Sequence, residues 1–134
     1  MLRRELRASV VDSAAPYGYT LTIFGAGSVA DYIVGKPHVF EVLLYIAGAV
    51  LGFLLVGTIA YGRLTVRLRK PEPSPEAIWG HAHVLSAGAA IGASWAFLQA
   101  LTSDVAWLIV GFLATSIYLF LNAVQATIAA RSAD

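Results

Sequence analysis

The sequence predicts an all-α integral membrane protein: four transmembrane helices in two hairpins, both termini cytoplasmic, preceded by a short amphipathic helix. Three observations predict it. The 134-residue chain is 58% apolar and only 13% charged, with a mean hydropathy of +0.72, whereas about a quarter of residues are charged in an average soluble protein. The apolar residues fall into four stretches, each near the roughly 20 residues that a helix needs to cross a bilayer. Finally, eight of the nine basic residues lie on one side of that pattern: Arg3, Arg4, Arg7, Arg63, Arg67, Arg69, Lys70 and Arg131, against Lys36 alone. Lys and Arg are retained on the cytoplasmic face, so this bias orients the chain with its ends and central loop inside.

Residues 1–15 form the first expected element, with 16–134 the transmembrane domain. Leu2, Leu6 and Val10 recur at helical spacing, flanked by Arg3, Arg4 and Arg7. A helix so built lies on a membrane surface, its arginines meeting anionic lipid headgroups. The four spans follow at about 17–34, 39–61, 77–101 and 105–129. Each closes its own backbone hydrogen bonds as a helix, because lipid offers no partner. Gly35-Lys36-Pro37-His38 and Thr102-Ser103-Asp104 read as tight turns. Between the hairpins, Arg63 to Glu76 is charged and broken by Pro71, Pro73 and Pro75, a short extended linker. Tyr17-Gly18-Tyr19 and Trp79-Gly80-His81 open the two hairpins, each before a run of small residues, which is either a parallel repeat or the compositional likeness common to small membrane helices.

Helices in lipid associate by close packing and polar contacts, since burial from water no longer drives them together. Gly48 and Gly52 in the second span, and Gly88 and Gly92 in the third, are Gly-x-x-x-Gly pairs that present a narrow face. They are the expected packing positions, either joining those two helices within a chain or joining chains. A thin four-helix bundle with such faces is expected to be a homo-oligomer or part of a larger membrane complex.

Several function classes find no support. Cysteine is absent, which removes disulfides and thiolate chemistry. No charge lies at the membrane midplane, against a proton relay through a central carboxylate. His81 and His83 point to nearly opposite sides of a helix and cannot chelate together. No His–carboxylate pair lies at the depth of a serine or threonine, so no catalytic set is discernible. No cofactor, metal or nucleic-acid site is expected.

Two functions stand ahead of a third, an intramembrane enzyme or haem carrier, which ranks last. In the first, the protein is a small homo-oligomeric channel or facilitator for a small solute or cation. Its pore would be lined by Ser28, Ser86, Ser94, Thr115 and Ser116, its outer mouth ringed by Asp31, Glu41 and Asp104. In the second, it is a non-catalytic accessory or scaffold subunit of a larger membrane complex, packing through its glycine faces. Seven arginines against two lysines, with abundant Ala and Gly, match a GC-rich bacterial genome. The expected location is the bacterial cytoplasmic (inner) membrane.

Overall fold

The computed structural model describes residues 2–61 and 80–132. Those residues form four α-helices: α1 (Leu2–Val34), α2 (Val39–Tyr61), α3 (Gly80–Leu98) and α4 (Asp104–Ser132). The proline-rich linker and Trp79 lie outside the described residues, as do the side chains of Arg3, Arg4, Arg7 and His81.

The first helix is longer than its apolar stretch. It runs unbroken for 33 residues through Pro16, so the basic segment and the first apolar stretch share one helix. At 1.5 Å per residue it extends about 50 Å, well beyond a hydrocarbon core of about 30 Å. Proline lacks the N–H that would bond the carbonyl four residues earlier. The Pro16 carbonyl itself accepts the Thr20 hydroxyl at 2.8 Å. At the other end α1 stops at Gly35, whose φ of +105° is open to glycine and strained for other residues. The Gly35 N–H still reaches the Asp31 carbonyl, at 3.1 Å.

Helix α2 then begins with a cap. The His38 N–H donates to the Glu41 carboxylate, the return half of a capping box. Helix α3 ends at Leu98, three residues short of the expected limit. There the Gln99 and Ala100 N–H groups bond three residues back, at 3.3 and 3.0 Å, the tightened last turn common at helix ends.

Helix α4 is the centre of the bundle. It packs against α1, α3 and α2, and α1 also packs against α3. Helix α2 is held almost wholly by α4 and hardly touches α1, although a four-residue turn joins them. Gly48 lies opposite Leu108 and Phe112, and Gly52 opposite Phe112 and Ser116, so α2 and α4 run parallel. Ala26, Ala30, Leu98, Ala106, Trp107, Val110 and Ala114 form a core near the two turns, with Ile33, Val34 and Leu101 packed on it. Both turns therefore sit at one end of the bundle. Alanine dominates this core because small side chains let helix backbones approach closely.

Among the described residues two helices are long and apolar enough to cross a membrane: Val39–Ile59, with mean hydropathy 2.4, and Asp104–Gln125, with 1.9. Only 17% and 39% of their most apolar windows are buried inside the bundle. A core helix of a water-soluble protein hides its apolar face; α2 displays Val39, Phe40, Leu43, Phe53 and Ile59.

Candidate functional site

A polar seam fills the half of the bundle away from the turns. Thr115, Tyr118 and Gln125 are three and seven residues apart, which puts them on one side of α4. Helix α3 offers His83 and Ser86, again three apart, and α1 offers Tyr19 and Thr22. The side chains meet in pairs. The Tyr19 hydroxyl bonds Thr115 Oγ1 at 3.1 Å. Tyr118 and His83 Nδ1 bond at 3.0 Å. Ser86 donates to Gln125 Oε1 at 2.7 Å, and Thr22 donates back to the Gly18 carbonyl at 2.8 Å. The Tyr118 ring, only 2% exposed, stacks on His83 and tilts against Tyr19, with centroids 6.3 and 5.9 Å away.

Gly18 makes this meeting possible. A β-carbon there would lie 2.5 Å from the Tyr118 hydroxyl and 3.0 Å from His83 Cβ. The seam thus ties three helices with neutral hydrogen bonds, each worth about 1 kcal/mol in an apolar setting. It satisfies the buried polar groups of Thr22, Ser86, Thr115 and Tyr118, the last three through partners that are themselves half-buried.

The five hydroxyls expected to line an oligomer's pore fall at several places on the single chain. Ser28 is exposed on α1 and donates to its own Phe24 carbonyl at 2.8 Å. Ser94 is buried and bonds the Ala90 carbonyl at 2.9 Å. Ser86 and Thr115 are buried and belong to the seam. Ser116 turns the other way, toward Gly52 of α2, and its Oγ is buried without a hydrogen-bond partner. Within one chain these hydroxyls do not converge on a common passage.

The three carboxylates do share one end. Asp31 is in the last turn of α1, while Glu41 and Asp104 are in the first turns of α2 and α4. Acidic residues in a first turn are favoured by the helix dipole. Glu41 has a structural task as a cap, which yields a prediction. Glu41→Ala should cost about 0.5–1 kcal/mol of stability, read from thermal unfolding in detergent, whereas Glu41→Gln should retain most of it. An equal loss in both variants would mean that the charge matters and the cap does not. Among the described residues no group of three His, Cys, Asp or Glu comes together to hold a metal.

The four glycines divide sharply. A β-carbon on Gly48 would lie 1.9 Å from the Leu108 carbonyl oxygen, and one on Gly52 would lie 2.8 Å from that of Phe112. Gly111 answers from α4, 2.2 Å from the Tyr45 carbonyl by the same measure. Gly88 and Gly92 are exposed, and among the described residues nothing comes within 4 Å of a β-carbon at either. The glycine faces of α2 and α3 therefore do not meet: α4 occupies the first and leaves the second open.

Sequence reasoning missed Gly18, Gly111 and the Tyr19, His83 and Tyr118 partners. The signal was present as the 115, 118, 125 spacing of polar residues along α4. No family model matches the chain, and neither does any curated protein or solved structure.

Proposed function

We propose that the protein is a four-span subunit of the bacterial inner membrane, with both termini cytoplasmic, that acts as a non-catalytic scaffold. It associates side by side with another membrane helix through the Gly88/Gly92 face of α3. The observation that carries this reading is the contrast between the glycine pairs. Gly48 and Gly52 are consumed inside the chain, while Gly88 and Gly92 stand open on a helix between exposed Val84, Leu85 and Trp95. In a bilayer, a face this narrow lets a second backbone approach closely. The exposed apolar surface of α2 supports membrane embedding, and the eight basic residues on one side support the orientation.

The test is the double substitution Gly88→Leu/Gly92→Leu. Both positions are open, so the chain should fold as before. Cross-linking in native membranes and sizing in mild detergent should then report at least a tenfold loss of association, the effect of about 1.4 kcal/mol. Association unchanged in that variant would refute the reading.

The channel reading retains two supports: the three carboxylates at one end, and the buried, unpartnered Ser116 hydroxyl. An oligomer of this bundle that carries cations would lose flux in liposomes on Asp31→Asn. Flux absent from the unmodified protein would end that reading.

A further inference from the structure

The wide gap between α1 and α2 has a definite origin. Gly48, Gly52 and Gly111 draw α2 onto α4, which takes it away from α1. Tyr45 then acts as a strut. Its hydroxyl donates to the Ile23 carbonyl, and its ring carbons lie 3.6 and 3.7 Å from the β-position of Gly27. Beyond the strut, away from the turns, lies a groove of about 340 Å³, the size of a small ligand site. Tyr19 and Ile23 form one wall; Ala49, Val50, Phe53 and Leu54 form the other.

The groove is unsuited to water. Its walls are apolar, and its two phenol hydroxyls are already bonded, to Thr115 and to the Ile23 carbonyl. An apolar groove left unfilled forfeits the dispersion contacts of its lining. Val50, Phe53 and Leu54 are each about half exposed, so the groove opens sideways rather than into the bundle. In the four-span orientation that opening faces the hydrocarbon of the cytoplasmic leaflet. The charge pattern selects the headgroup. Arg3, Arg4 and Arg7 belong to the part of α1 that precedes the groove, and along the sequence eight of the nine basic residues fall on that side of the four-span pattern. An anionic phosphate is favoured there over a zwitterionic one.

We propose that this groove seats one acyl chain of an anionic glycerophospholipid from the cytoplasmic leaflet. The proposal rests on the four-span orientation and is independent of the Gly88/Gly92 association.

The full-length chain is reconstituted in nanodiscs of equal phosphatidylglycerol and phosphatidylcholine, released into mild detergent and weighed by native mass spectrometry. One phosphatidylglycerol should remain per chain, about tenfold over phosphatidylcholine. Filling the groove with Ala49→Phe should abolish retention. Val50→Trp, at a half-exposed position on the groove wall, should do the same. Leu43→Phe, exposed on α2 outside the groove, should leave retention intact, and circular dichroism checks that every variant is helical. Equal retention of the two lipids, no retained lipid, unchanged retention in both groove variants, or a second chain bound in place of lipid would each overturn the proposal. Lipid retained by the Gly88→Leu/Gly92→Leu variant after it has lost association would separate this site from the lateral one. A chain that does not enter the nanodisc overturns both proposals.

Discussion

Gly48→Ala is expected to detach α2 from α4. The new β-carbon would meet the Leu108 carbonyl oxygen at 1.9 Å and the Phe112 nitrogen at 3.0 Å. Both are backbone atoms of a regular helix, so no rotamer change relieves the clash. The helices must separate, and α2 has little other support in the chain. Overpacking typically costs about 1–3 kcal/mol and occasionally more; this position belongs at the upper end. Gly111→Ala attacks the same contact from α4, where the β-carbon would lie 2.2 Å from the Tyr45 carbonyl. The two changes share one interface, so the double variant should cost less than their sum. Gly57→Ala is the control. It meets nothing within 4 Å and should gain up to about 1 kcal/mol from better helix propensity. Unfolding in detergent, followed by circular dichroism, ranks the three. A Gly48→Ala protein as stable as Gly57→Ala would mean that α2 and α4 are not in backbone contact.

The second large effect is expected at Gly18. Alanine there would press on the Tyr118 hydroxyl at 2.5 Å and on His83 Cβ at 3.0 Å. The hydroxyl is the tip of a rigid, buried ring, and the His83 β-carbon is fixed to α3. The expected cost is about 1–3 kcal/mol, with the His83–Tyr118 hydrogen bond broken. Gly25→Ala gives the contrast on the same helix. Its β-carbon would also come within 2.5 Å of an atom, but that atom is Ile91 Cδ1, the end of a flexible side chain. The isoleucine can turn aside, and little should change. The imidazole nitrogen resonances of His83 report directly. They should move in Gly18→Ala and in Tyr118→Phe, and stay in place in Gly25→Ala. Resonances indifferent to both Gly18→Ala and Tyr118→Phe would mean that the hydrogen bond is not made.

These two positions also mark the limit of what one-dimensional patterns carry. Helix class, the second helix from Val39 to Tyr61, and both turns are legible because they depend on local hydropathy and on local chain geometry. Gly35 could be read as a turn residue without knowing what surrounds it. The end of α1 was legible in the same way; its start was not. Residues 1–15 read as a helix separate from the first span, yet one helix runs through both.

Partner choice was not legible. A Gly-x-x-x-Gly face states that something can come close, and its spacing is the same whether the visitor is α3, α4 or another chain. Gly48 and Gly88 are indistinguishable by motif; one is pressed against a carbonyl oxygen and the other is open. The hydroxyls expected to line a pore divide for the same reason. A serine in an apolar helix looks alike whether it faces a passage, bonds its own backbone as Ser94 does, or bonds a residue 39 positions away, as Ser86 bonds Gln125.

By itself the sequence determined an apolar helical chain with two tight turns and a strong charge asymmetry, because those properties are summed over neighbours along the backbone. Only the tertiary structure decided that α4 is the hub, that α2 lies against α4 and parts from α1, and that Gly18 opens the way for the Tyr118–His83 pair. Those outcomes turn on gaps of a single methyl group between helices far apart in sequence, and in a bilayer such fit carries much of helix association.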